Sequence, residues 1–226
     1  MPIPSNKPLH TPRGFARFTH FITPDQYDAN AAPSFNTGLV LDPSEPEVQT
    51  FLDTLRAIYA LALSALQADL QEAITNAKNG AEVKKNQKAL DDLKTPEFIK
   101  DVLDRESGEP TGKVYINFKT YAFTKDGTQK KVRTFDGKGK PFDLESEPWS
   151  GSVMRVNFTP VCKYIAGALH LTCWINGVQI LKLVSGGAGA SAGDMFGGDS
   201  SEFQAEESFD DGVDVVTGDE STGADY

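Results

Sequence analysis

The residues of this 226-residue chain best suited to chemistry are rings and cations interleaved at period two. Between Lys113 and Phe123, one side of a strand would carry Val114, Ile116, Phe118, Thr120 and Ala122, as a core requires. The other side would carry Tyr115, Asn117, Lys119, Tyr121 and Phe123. A cation among three rings suits a surface that stacks bases and neutralises phosphates. Lys130, Lys131, Arg133 and Phe135 follow in the next hairpin, and Arg155 alternates with the inward set Met154, Val156 and Phe158. Lys163 and Tyr164 are expected in the turn after that strand. Trp174 shares a face with His170 and Thr172, away from Leu169, Leu171 and Cys173. A single strand aromatic is more often core than ligand-stacking, so the combined pattern carries the reading.

Other chemistries lack their residues. His10, His20 and His170 are isolated, no nucleophile elbow occurs, and no Walker or dinucleotide glycine pattern opens a helix. No enzyme is expected, and no cofactor. The cysteines, Cys162 and Cys173, form no CxxC pair, which excludes a disulfide scaffold and argues against structural zinc. Gly186, Gly187 and Gly189 lead into an acidic segment that would repel phosphate. Its carboxylates lack EF-hand spacing, so no metal site is expected. The first residues have no apolar run of a secretory signal, and stretches such as Tyr59–Leu66 are too short to span a membrane. A reduced, cytoplasmic protein is expected.

The net charge of −10 argues against a nucleic-acid surface, but the average hides an asymmetry. Residues 186–226 hold 11 acidic side chains and no Lys or Arg. The rest of the chain holds 22 basic and 21 acidic residues, and Pro110–Ser185 holds 11 basic against 5 acidic. A basic β-rich region joined to an acidic tail points towards nucleic acid. Acidic ends also serve merely as solubilising appendages.

These side chains must be held by the elements around them. Residues 1–14 read as a loosely held arm. Strands are expected at Phe15–Ile22 and Phe35–Leu41, followed by a helix capped by Ser44 with Glu47 and ended by Asn79-Gly80. Its stripe Val48, Phe51, Leu52, Leu55, Ile58 and Tyr59 continues to Ile74 and would cover a sheet. The polar stretch Ala81–Leu93 reads as a solvated helical face, and Thr95-Pro96-Glu97 as the start of a short helix through Leu103. Further strands are expected at Lys113–Phe123, Lys131–Phe135, Val153–Pro160, Leu169–Ile175 and Val178–Val184. Asn176-Gly177 between the last two is the strongest hairpin signal. The sum is a mainly β fold with a helical insertion, a small and mostly antiparallel barrel. A Gly-rich linker and disordered acidic tail would follow.

Several segments together resemble the T7-type bacteriophage single-stranded DNA-binding proteins. Thr19–Tyr27, ending Pro24-Asp25-Gln26-Tyr27, is similar to the family's early strand and turn. The helix after Phe35–Leu41 sits where that family inserts helix into an OB barrel. Phe118-Lys119-Thr120-Tyr121-Ala122 resembles its central basic-aromatic strand, and Phe135-Asp136-Gly137-Lys138-Gly139-Lys140 its Asp-x-Lys-Gly-Lys hairpin. Gly151–Tyr164 resembles a later strand and turn. The linker, the acidic tail and a terminal aromatic complete the likeness, with Asp225-Tyr226 where the family often has Asp-Phe. The helical segment is longer than in the family pattern. An aromatic expected near Cys162 is missing, its place open to Tyr164.

The resemblance implies an OB-fold, a five-stranded Greek-key barrel over residues 15–185 with the helical insertion at about 44–104, and the linker and tail at 186–226. It implies sequence-nonspecific single-stranded DNA binding in phage DNA replication, recombination or repair, and a host-cell cytoplasmic location. It also implies a tail, here Asp210, Asp211, Asp214, Asp219, Glu220, Asp225 and Tyr226, that contacts replication proteins such as a DNA polymerase or helicase and competes with DNA. A homo-oligomer is compatible with these features. A rival reading is an acidic-tailed β-barrel adaptor that assembles replication or virion proteins without binding DNA. A nuclease accessory is disfavoured by the lack of convergent Asp, Glu and His.

Overall fold

The period-two stretches become strands, and their pairing closes a barrel. A computed structural model describes residues 7–26, 28 and 31–184. Its strands are β1 (Leu9–His10), β2 (Gly14–Asp25), β3 (Ser34–Leu41), β4 (Lys100–Leu103), β5 (Pro110–Tyr121), β6 (Thr134–Phe135), β7 (Val153–Ile165) and β8 (Ala168–Lys182). Helices α1 (Pro46–Thr75) and α2 (Gly80–Asp91) lie between β3 and β4. Antiparallel pairs β2–β3, β3–β5, β7–β8 and β2–β7 join the parallel pair β5–β8 into a ring of five long strands. This is the Greek-key order of an OB-fold with helices inserted after its second strand. β1, β4 and β6 are short additions to β7, β5 and β8.

Alternate residues of these strands fill the barrel. Phe35, Leu39, Ile116, Phe118, Met154 and Phe158 are all buried, with the rings of Phe118 and Phe158 edge to face at 5.0 Å. Only the first half of α1 closes the barrel: Val48, Phe51, Leu52 and Leu55 are buried, and Phe51 meets Phe158 at 6.0 Å. Gly14 is required where β2 crosses the core. A Cβ there would stand 2.6 Å from Leu39 Cγ and 2.8 Å from the Val40 carbonyl oxygen.

Local expectations fail where long-range pairing overrides them. Ser44 does not cap α1; its amide and hydroxyl both donate to Asp42 Oδ1, and the capping position is Glu45. Asn79 does not end a helix but starts one, its Oδ1 accepting from the amides of Ala81 and Glu82. The expected short helix to Leu103 is instead β4, because residues 100–103 gain a ladder along β5. Residues 131–135 shrink to the two-residue β6. The hairpin expected at Asn176-Gly177 is absent: β8 runs straight through it. The turn lies at Ala166-Gly167, which take φ of 50° and 82°, the positive pair of a type I′ turn. Asn176 is instead an extra residue bulged opposite Asn157 and Phe158, its Nδ2 donating to Asn157 Oδ1 and Thr159 Oγ1. Gly177 lets β6 approach, since a Cβ there would be 3.2 Å from the Phe135 ring.

The chain ahead of β2 is less free than a loose arm. Thr11 is buried, exchanging hydrogen bonds with Val156 through both its amide and its hydroxyl. Residues 1–6 lie outside the described residues, as do the linker and tail at 185–226 with Asp210, Asp211, Asp214, Asp219, Glu220, Asp225 and Tyr226.

Because α2 buries no residue and is tied to α1 by Asn86 Nδ2 donating to the Ala73 carbonyl, its cap matters locally. Asn79→Ala should destabilise α2 by about 1 kcal/mol. Amide exchange should quicken across residues 80–91 while the β5 and β8 amides keep their protection.

Candidate nucleic-acid interface

The outward residues of the barrel form rows that run across strands. Register places Trp174 of β8 beside Lys119 of β5, Lys119 opposite Asn36 of β3, and Asn36 opposite His20 of β2. Two residues along β5, the Tyr121 ring packs at 4.8 Å from the Trp174 ring with the planes tilted by 43°. Tyr121 remains 49% exposed, so the pair offers ring area to solvent. Lys163 Nζ stands 5.8 Å from the centroid of the same indole. Two rings and two cations, Tyr121, Trp174, Lys119 and Lys163, therefore converge from three strands.

A second group continues the face towards β2 and β4. The Arg17 guanidinium lies 5.0 Å from the Tyr115 ring and 4.9 Å from that of Phe18, and Lys100 Nζ is 6.0 Å from Tyr115. Lys113 Nζ is 5.8 Å from the half-exposed Phe15 ring. Each exposed contact of this type contributes about 0.5–1 kcal/mol. Their larger consequence is arrangement, because each holds a charge beside a ring on the outer face of the barrel.

The remaining sequence-derived candidates fall elsewhere. Phe123, 42% exposed, lies just past β5 beside the turn in which the Thr124 and Thr128 hydroxyls donate to the Asp126 carboxylate and the Thr124 amide donates to the Thr128 carbonyl. Lys130 and Lys131 line a shallow cavity of about 300 Å³ over Phe21, Phe35 and Val132, and Lys131 pairs with Asp143 at 2.5 Å. Both ends of that pair are exposed, so it adds little stability. Arg133 Nε donates to the Asn176 carbonyl, and Phe135 half-covers Gly177. Arg155 lies opposite Gln179, and its Nε is buried without a hydrogen-bond partner. This second patch is five residues along β8 from Trp174.

Lys163 and Tyr164 sit in β7, not in a turn, because the β7–β8 ladder continues to Ile165. Alternation then separates them. Lys163 faces outward opposite His170, whereas Tyr164 shares the side of Cys162 and Leu169, which packs on Ala62 of α1. The Tyr164 ring, 40% exposed, is thus at the far side of the hairpin from Trp174.

Among the described residues no group of His, Cys, Asp and Glu is placed to hold a metal ion. Burial pushes the Cys162 thiol up to about 11 and Cys173 up to about 12, so neither is a thiolate at neutral pH. No described helix is long and apolar enough to cross a membrane.

Phe15, Arg17, Phe18, Lys100 and Lys113 belong to the face but were not among the candidates from sequence. Strict alternation over the expected strand Phe15–Ile22 would put Phe15 and Arg17 on one side with Thr19 and Phe21, yet the last two are buried. A bulge at Phe18, whose φ is +50°, shifts the phase between Arg17 and His20, so Phe15, Arg17 and Phe18 all point out. Two adjacent outward residues are invisible to a period of two.

The barrel order defines an OB-like fold with an inserted helical pair, and a solved structure shares the overall fold. The chain is similar to gp2.5, a single-stranded DNA-binding protein encoded by bacteriophage T7, with a TM-score of 0.57 and 18% identity over 79% of this chain and 93% of that one. The single-stranded DNA-binding protein of bacteriophage Enc34 aligns at TM-score 0.48 and 11% identity as a C-terminal truncation, covering 77% of this chain and 85% of that chain. In complex with single-stranded DNA it aligns at 0.44 and 14%, covering 80% and 89%. No family model and no curated protein matches the chain. At the level of architecture, the T7 likeness agrees with the fold expected from the sequence resemblance.

Proposed function

We propose that this chain is a sequence-nonspecific single-stranded DNA-binding protein, serving phage DNA replication, recombination or repair without catalysis. The observation that carries the reading is the convergence of Tyr121 and Trp174 with Lys119 and Lys163 on one open barrel face. Rings of this kind stack any base, and cations beside them neutralise the backbone, so no base edge need be read. Tyr115, Arg17 and Lys100 extend the same surface. The T7 and Enc34 proteins are described as single-stranded DNA-binding, which supports the reading. Phe123, Lys130, Lys131, Arg133, Phe135 and Arg155 would lie along the flanks of the bound strand. In this reading the acidic tail, ending in Asp225-Tyr226, recruits replication proteins such as a polymerase or helicase.

Anisotropy of a labelled oligo-dT, followed across salt concentrations, tests this directly. Affinity should fall with salt at a log–log slope of about −0.7 per phosphate neutralised. Lys119→Glu should make the slope shallower, and Arg133→Glu should do so if the β6 patch also meets the strand. A wild-type protein that leaves oligo-dT free at low salt overturns the function and leaves the adaptor reading.

A further inference from the structure

We propose that Phe18 and Trp149 form a second nucleobase pocket, at the β2 edge of the barrel face. The proposal rests on the single-stranded DNA reading and adds to it a site on the opposite side of β3 from Trp174.

Phe18 is the oddest aromatic in the fold. It adopts left-handed backbone at φ +50°, which non-glycine residues rarely occupy, and its ring is 68% exposed. A strained residue persists only where its surroundings over-determine it, and such residues gather at ligand sites. Trp149, 58% exposed, lines with Phe18 an open cavity of about 540 Å³, in the size range of small-ligand sites. Thr19, His20, Thr23, Glu147, Pro148 and Ser150 complete its wall.

The loop that brings Trp149 here is pinned. The Glu147 carboxylate accepts from the amides of Phe21 at 2.6 Å, Ile22 at 2.8 Å and Thr23 at 2.9 Å. The Trp149 amide donates to the Val184 carbonyl at 2.7 Å, and its own carbonyl accepts from Ser152. Both aromatic walls are therefore fastened to the barrel, and three N–H dipoles balance the Glu147 charge. Glu147 is a positioning residue.

Continuity with the barrel face selects the occupant. His20 of the pocket begins the row that passes through Asn36 and Lys119 to Trp174. Arg17, beside Phe18, reaches Tyr115 on the same face. Three interstrand steps of about 4.8 Å put the pocket about 14 Å from Trp174. That is roughly four nucleotides of a stacked strand at 3.4 Å each, and fewer if extended. One base on Trp174 and another in the pocket of Phe18 and Trp149 thus fit one strand lying across the sheet, with Lys119 on the row between them and Arg17 beside Phe18 for phosphate.

The chain has two tryptophans, so Trp174→Phe leaves Trp149 as the sole indole while keeping a ring at position 174. Labelled dT12, titrated to saturation at whatever affinity this variant retains, should quench Trp149 emission in step with the anisotropy. Phe18→Asn, made in the otherwise wild-type protein, removes the ring but keeps a residue that tolerates left-handed backbone. It should weaken dT12 binding roughly tenfold, about 1.4 kcal/mol, with the melting temperature unchanged. Normal binding with unchanged Trp149 emission, or with unchanged affinity after Phe18→Asn, overturns the pocket and leaves the single-stranded DNA function standing. Failure of the wild-type protein to bind dT12 overturns both.

Discussion

Replacing Trp174 with alanine should weaken binding to oligo-dT by about 1–3 kcal/mol, up to about a hundredfold, with little loss of thermal stability. Trp174 lies outside the main core, half-buried on the outer side of β8, so its removal opens no internal cavity. Tyr121→Ala should cost a similar amount, for the two rings lie 4.8 Å apart and share one surface. The double variant should lose less than the sum, because each ring orients the other and a stacked base would touch both. Tyr164 supplies the contrast. Its ring lies on the side of β7 that packs against α1, so Tyr164→Ala should leave oligo-dT affinity within about twofold while lowering the melting temperature modestly. Affinity and melting temperature measured on the same three proteins decide the matter. If Tyr164→Ala weakens binding and Trp174→Ala does not, the interface has been assigned to the wrong side of the hairpin.

What the sequence showed of this site follows from how far each signal reaches. Tyr115, Lys119 and Tyr121 were legible because β5 keeps an unbroken period of two, with Ile116 and Phe118 buried between them. Trp174 was legible for the same reason, opposite the buried Cys173 and Ile175. Phe18 was not, because a bulge adds one residue and reverses the phase of everything after it. Tyr164 was misplaced because Pro160 read as a strand end, yet its carbonyl side and register opposite Cys173 are compatible with continued pairing, and proline only lacks a donor. Asn176-Gly177 carried the strongest turn chemistry and made no turn. The ladder from Val153 to Ile165 against β8 outweighs it, and the asparagine side chain instead bonds Asn157 and Thr159 across the bulge. Trp149 stands in a loop whose position depends on Glu147 reaching β2, more than 120 residues away in sequence. No local pattern encodes such a contact.

Removing residues 186–226 should tighten single-stranded DNA binding by on the order of 10- to 100-fold at low salt, and by little at high salt. The deletion takes away 11 carboxylates and no cation, changing the formal charge from −10 to +1. If the tethered polyanion folds back, it would compete at high effective concentration for Arg17, Lys100, Lys119 and Lys163, the cations proposed to meet a DNA backbone. The tail has few rings to stack and no bases, so DNA prevails once enough nucleotides are present. Screening sets the salt dependence: the Debye length is about 30 Å at 0.01 M and about 3 Å at 1 M. The deletion should also abolish capture of replication proteins, for on this scheme DNA displaces the tail and leaves its terminal Asp225-Tyr226 segment available. A merely solubilising tail predicts a smaller gain from lost long-range repulsion and no change in recruitment. A variant of residues 1–226 with the tail's charges kept, their order scrambled and Tyr226 omitted separates the two ideas. Retained recruitment by that variant defeats a sequence-specific tail. Equal affinity of the 1–226 and shortened chains at 0.01 M salt defeats competition for the face, since screening is then too weak to hide it.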